Sequence, residues 1–392
     1  MLALSIEEFG SETSWRWVLT DPDGKFVGDQ VVALDKGDPV YAGFEDLPRR
    51  LKYLQQVHRE QDVLAELGRW IGEKVFGQVG AKLLEFERAP ACVVQVRVPQ
   101  AAQALVFRPF ELAHVDGRSL VERGFRFIYT VDGGAARREL KKEGGEELRM
   151  LGVFSLPDAA SPLNLREERF RLQELIRDFA QKGGYAVRLR ILQYGTTRSI
   201  LKEALEEAPG WDVIHFSGHG LQGELLLEKL DGSADRVSAD ELAKLLAPTK
   251  QRLKLMALSA CYSGAADVGA ARVQLGLDSP PTRAEGAASS EPTPAPTPRA
   301  LPSLGQRLAE TLDCAVLAMR YPVLDTFATE LALGLYQGLL ERKQPLPQAL
   351  RLALDGALSQ DGQAQDAGLS PITPLLFGAR AGSLVLGAPK LP

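Results

Sequence analysis

Hydrophobic and polar positions change their period along this chain, and each change predicts a different kind of element. Residues 2–8, 14–20 and 25–34 read as short strands, the last two joined by Asp21-Pro22-Asp23-Gly24. Proline fixes φ and glycine supplies left-handed freedom, so an antiparallel β-meander is expected at the N-terminus. From about Glu45 to Leu84 apolar residues recur at helical spacing, as Leu47, Leu51, Leu54 and Val57 and then Leu64, Leu67, Trp70 and Ile71. That spacing predicts two helices.

From Cys92 onward, short β-branched runs alternate with amphipathic stretches. Strands are predicted at 92–98, 148–154, 186–192, 213–216, 253–258, 315–319 and 383–386. Helices are predicted at roughly 163–182, 197–208, 239–247, 303–313, 325–342 and 346–359, with Ser238 and Glu241 spaced as a capping box for the third. Strands that are nearly continuous in aliphatic residues, alternating with helices, argue an α/β fold: a mostly parallel sheet flanked by helices on both faces. The expected organisation is an N-terminal β-meander with a helical lead-in over 1–90 and a main domain over 91–392. Residues 279–302 break the rhythm with seven prolines among Ser, Thr, Ala and Glu, so a disordered surface loop is expected there.

Composition narrows the setting. With 45% hydrophobic and 25% charged residues, the 392-residue chain can bury a sizeable core. Its 46 basic and 51 acidic residues leave a net charge of −5, which offers no basic surface for nucleic acid or an anionic membrane. The three cysteines, Cys92, Cys261 and Cys314, are odd in number and widely spaced. That pattern argues against a disulfide framework or a zinc site, and for reduced thiols in a cytoplasmic setting. There is no run of eighteen apolar residues, and the segment from Met1 to Glu8 lacks the basic flank of a signal peptide, so neither a membrane span nor an obvious export route is expected.

The chemistry concentrates in two apolar runs that end in small residues. Asp212-Val213-Ile214-His215-Phe216-Ser217-Gly218-His219-Gly220 delivers His219, and about forty residues on Leu253 to Ser259 lead to Cys261. In an open parallel sheet, the groove outside the carboxyl ends of the strands is where side chains and backbone meet solvent. An imidazole beside a thiol there raises the thiolate fraction, and the N–H groups of Gly220 and Cys261 are the candidate oxyanion donors. The plain alternative for Cys261 is a buried strand-end thiol. Gly218-x-Gly220-x-x-Gly223 also matches a dinucleotide fingerprint, but Glu224 to Gly232 reads as a hairpin and not as a phosphate-binding helix. His215 and His219 have the spacing of helical zinc ligands, yet they lie on a strand and Phe216 stands where a zincin needs glutamate. No cofactor or metal is expected, and His215 is expected to pack against a helix.

Taken together, Ser217-Gly218-His219-Gly220 and Leu258-Ser259-Ala260-Cys261 resemble the CHAT domain, a branch of the caspase-like (clan CD) cysteine peptidases. Val106-Phe107-Arg108-Pro109-Phe110-Glu111-Leu112 with Asp116-Gly117 resembles that family's proline, aromatic, Glu-Leu motif. Ala315 to Val323 with Asp325 resembles its strand after the nucleophile, and Pro345 to Ala357 its later helix. The likeness runs from about residue 90 to the end.

The resemblance implies a caspase-like fold and peptide-bond hydrolysis, in which Cys261 attacks the carbonyl, His219 moves the protons, and the Gly220 and Cys261 N–H groups hold the oxyanion. It implies no acidic third member. The partners it implies are a protein or peptide substrate and a regulatory protein or ligand that releases the activity, in prokaryotic defence, signalling or programmed cell death. The sequence departs from the family at Tyr262, where glutamate is common, and in the proline-rich insert. The insert occupies the place of the caspase linker cut on activation, which makes Arg283 and Arg299 candidate processing points unless it is a passive spacer. Asp267 or Asp325 could receive a basic substrate side chain through a charge-assisted bond, or each could simply start a helix. Glu111 is expected to cap or pack. The alternative from another class is a catalytically silent module whose groove binds a peptide without cutting it.

Overall fold

The computed structural model describes residues 1–54, 59–87, 92–132, 145–158, 163–221, 223–260, 304–321, 324–360 and 367–391. Cys261, Tyr262, Asp267, Arg283, Arg299 and the 279–302 segment lie outside them.

The N-terminal meander forms as its pattern predicts: β1 (Leu2–Ser11), β2 (Ser14–Thr20) and β3 (Phe26–Ala33) pair antiparallel. The β2–β3 turn closes with Asp21 Oδ1 accepting the N–H groups of Asp23 and Lys25, both at 2.9 Å. Alternation sends Trp15, Trp17 and Leu19 inward, where Trp17 meets the rings of Phe76 and Phe110.

The lead-in is more segmented than the two helices expected. It comprises α1 (Tyr41–Glu45), α2 (Leu47–Leu54), α3 (Glu60–Ile71), a π-helical turn over Gly72–Phe76, and α4 (Gly77–Leu84). Gly68 and Gly72 both face the segment around His114. A Cβ on Gly72 would stand 2.0 Å from the His114 carbonyl oxygen, so only glycine lets the small hairpin β5 (His114–Val115) and β6 (Arg118–Ser119) pack this closely.

The remaining strands are β4 (Cys92–Pro99), β7 (Phe125–Asp132), β8 (Leu148–Ser155), β9 (Val187–Leu192), β10 (Val213–Gly218), β11 (Gly220–Leu221), β12 (Glu224–Glu228), β13 (Ala234–Ser238), β14 (Leu255–Ser259), β15 (Ala315–Met319) and β16 (Pro374–Phe377). Eleven of the strands form one sheet in the order β3-β2-β1-β4-β7-β16-β15-β14-β10-β8-β9. Two parallel blocks, β1-β4-β7-β16 and β15-β14-β10-β8-β9, meet at the antiparallel β15–β16 pair. Strands β11, β12 and β13 make a separate three-stranded sheet just after β10. The later helices are α5 (Leu165–Gly183), α6 (Arg198–Leu205), α7 (Ala239–Leu246), α8 (Leu304–Leu312), α9 (Asp325–Tyr336) and α10 (Leu346–Gln360). The α7 capping box is formed, with both Ser238 and Glu241 reaching back.

One predicted strand is corrected. Ser383–Leu386 is not a strand; the Leu384 carbonyl accepts the Leu346 N–H at the start of α10. Leu386 is buried as a cover over the α-helical side of the core. The place in the sheet belongs to β16, whose proline sits at the first strand position, where a missing donor is tolerated. Strand β7 also goes unpredicted by the periodicity.

Two apolar layers cover the sheet. One joins the N-terminal rings to α6, α7 and α8; the other packs α5, α9 and α10 against β8, β10, β14 and β15.

Candidate active site

Strands β10 and β14 are parallel neighbours, and Ser217 pairs with Ser259. His219 follows Ser217 by two residues and Cys261 follows Ser259 by two. Each candidate thus follows its paired serine by the same number of residues, and of the two only His219 lies among the described residues.

Glycine at 218 is required by close approach. A Cβ there would lie 2.5 Å from the Ser155 carbonyl oxygen on the adjacent strand β8, a contact that neither backbone can relieve. His219 is 5% exposed. Its carbonyl accepts the Leu226 N–H at 3.1 Å, which makes His219 and Leu226 a hydrogen-bonded pair. Antiparallel ladders alternate, so the next pair, Gly220 and Leu225, is the non-hydrogen-bonded kind and the Gly220 N–H points away from β12. A donor turned out of its own ladder is what an oxyanion site needs.

Beneath the rim, β10 is clamped to two helices. Glu168 on α5 accepts from His215 Nε2 at 3.1 Å and from the Ser217 hydroxyl, and Tyr336 on α9 lies 3.1 Å from His215 Nδ1. Burial, with the field of the Glu168 carboxylate, holds the Tyr336 phenol far above its ordinary range, so it remains a donor. The roles are then consistent: Nε2–H donates to Glu168, and Nδ1 accepts from Tyr336. Both nitrogens of His215 are engaged in the core, as the strand-histidine reading expected.

Glu111 packs, also as expected. Its carboxylate takes Arg320 Nη1 at 2.9 Å and Nη2 at 3.2 Å and the Tyr129 hydroxyl at 2.9 Å. Burial alone would depress the Arg320 guanidinium, but Glu111 outweighs it and raises the pKa. This pair ties the turn after β4 to the end of β15, one strand from β14. Asp325 begins α9 and its Oδ2 accepts the Asn164 N–H at 2.9 Å, so it serves the N-termini of both α9 and α5.

Sequence reasoning missed Glu168, Tyr336 and Glu228. Glu168 sits in an acidic first turn, Leu165-Arg166-Glu167-Glu168, and nothing local separates its buried carboxylate from the exposed one beside it. Glu228 on β12 accepts the N–H of Leu156 at 3.1 Å and of Gly195 at 2.5 Å, binding three rim segments through one carboxylate.

The CHAT domain family profile matches residues 65–369. With a match over well more than half of its length, and a large, mostly parallel sheet between helices, the chain belongs to the CHAT domain family, which is related to the caspase-like clan CD peptidases. No curated protein matches it. Among the described residues no group of three or more His, Cys, Asp or Glu could hold a metal ion, and no helix is long and apolar enough to cross a membrane.

Proposed function

We propose that this CHAT protein is a cysteine endopeptidase in which Cys261 is the nucleophile and His219 its acid and base. The observation that supports the reading is the Ser217–Ser259 pairing on adjacent parallel strands, two residues before His219 and two residues before Cys261 in the sequence. His219 takes the thiol proton, the thiolate attacks the scissile carbonyl, and the N–H groups of Gly220 and Cys261 receive the negative oxygen. His219 then gives the proton to the leaving amine, and water releases the acyl group by the reverse sequence.

The burial of His219 supports regulation. With His219 only 5% exposed, its access to the leaving amine of a substrate requires the rim to open, so the resting activity is low and rises when a protein or ligand opens it. A cytoplasmic role in prokaryotic defence or signalling, with processing at Arg283 or Arg299, belongs to the same reading. The competing reading, a silent peptide-binding module on this scaffold, draws on the same burial.

Incubation with peptides of varied P1 residue, analysed by mass spectrometry, separates the two. The peptidase reading expects products from the parent and none from Cys261→Ala or His219→Ala. Equal product in all three proteins overturns it.

A further inference from the structure

The chain leaves β9 through Gln193, Tyr194 (φ 56°) and Gly195 (φ 71°). Of the five described non-glycine residues with positive φ, Tyr194 is the only aromatic. A bulky side chain is a poor choice for that conformation. The neighbours nevertheless hold it firmly. Gly195 N–H donates to Glu228 at 2.5 Å, Glu228 N–H donates to the Thr196 carbonyl at 3.1 Å, and the Thr196 hydroxyl donates to the Phe154 carbonyl at 3.1 Å. Arg169 on α5 sets its guanidinium 5.9 Å from the ring centroid. After all this bracing Tyr194 is still 78% exposed. Beyond the Arg169 contact, folding gains little from an aromatic in this position, and strain held in place by several partners is a mark of a functional residue. Two residues beyond Glu228, Leu230 in the β12–β13 turn is 97% exposed, and that turn is fixed to the end of β8 by the Asp158 N–H donating to Gly232.

The position along the rim suggests what the ring meets. Strands β10, β8 and β9 are consecutive in the sheet. At about 4.8 Å per strand, the end of β9 lies roughly 10 Å from the end of β10, the span of about three extended residues. We propose that Tyr194 is a substrate-recognition residue, receiving an apolar side chain about three residues from the scissile bond of an extended protein segment laid across the ends of β10, β8 and β9. This rests on the peptidase reading for its substrate, but the binding can be tested without catalysis.

The test uses Cys261→Ala protein and fluorescein-labelled peptides in an Ala/Ser background, with a single Leu or Phe moved along the chain, read by fluorescence anisotropy. Binding is expected to peak at one placement of the apolar residue, and Tyr194→Ala is expected to weaken that peptide about fivefold while leaving the all-polar peptide unchanged. Tyr194→Gly should show the same loss with a melting temperature equal to the parent's or higher, because glycine relieves the positive φ. In protein with Cys261 intact, the substitution should raise KM and spare kcat. Equal affinity of the parent and Tyr194→Ala for every peptide overturns the assignment. If Tyr194-dependent binding persists but nothing is cleaved, the peptidase reading fails and this one stands; cleavage that ignores Tyr194 does the reverse.

Discussion

Ser217 and Ser259 stand opposite each other in the parallel ladder of β10 and β14, and each precedes a candidate catalytic residue by two positions. The glycine between Ser217 and His219 is the sensitive point. Gly218→Ala places a Cβ 2.5 Å from the Ser155 carbonyl, so it should destabilise the fold by about 1–3 kcal/mol. A shift of about 1 Å in His219 should lower kcat roughly 100-fold. Urea melts and turnover measured on the same sample check both.

The two histidines of this segment should behave differently. Glu168→Leu leaves the His215 Nε2–H and the Ser217 hydroxyl without their buried acceptor, at a cost of roughly 2–5 kcal/mol in urea unfolding. Glu168→Gln keeps an acceptor and should recover most of that. Neither should move the pH profile of kcat, because His215 serves the core; a shifted profile would assign it to the chemistry.

The Glu111–Arg320 pair is a buried ion pair, and these punish loss of one partner more than loss of both. Arg320→Met alone should cost about 3–5 kcal/mol, and adding Glu111→Leu should restore a large part. Denaturation of the single and double variants gives the coupling directly. Additive losses would mean that the two side chains do not act as a pair.

Acid sensitivity should show at Glu241. The Arg198 hydrogen bond first, then the Ser238 backbone and hydroxyl donors, lower its carboxyl from 4.5 to about 2. A folded-state value below the unfolded one means that the contribution is full above about pH 4.5 and is lost as pH falls towards 2. Its side chain is 46% exposed, so the effect is small and reduced by salt. Glu241→Gln should be less stable than the parent at pH 7, with the gap closing as the pH falls through this window; a constant gap contradicts the linkage.

Much of the fold was legible because period follows burial. Near-continuous aliphatic runs such as Leu148–Ser155 and Val213–Gly218 are strands buried on both faces, and the helices between them carry regular apolar stripes. The periodicity failed where tertiary context decided. Ser383–Leu386 has the apolar content of a strand but finds its hydrogen bond at α10, while Pro374–Phe377 begins with a residue that argues against strand and is tolerated only at its first position. In the site, the small residues that end β10 and the packing of His215 were readable; the approach of the Ser155 carbonyl that requires glycine at 218 was not. Glu168, Tyr336 and Glu228 were not, since each reaches the rim from another element and only the fold brings them there.

The central claim is that the His219 imidazole acts on the Cys261 sulfur, and alkylation of that thiol by iodoacetamide tests it without a substrate. At pH 6 an isolated thiol is almost wholly protonated and slow. Site-resolved mass spectrometry should find Cys261 modified at least about tenfold faster in the parent than in His219→Ala at this pH, with the two rates converging above about pH 9. Indistinguishable rates across the whole range would contradict the pairing of these two residues.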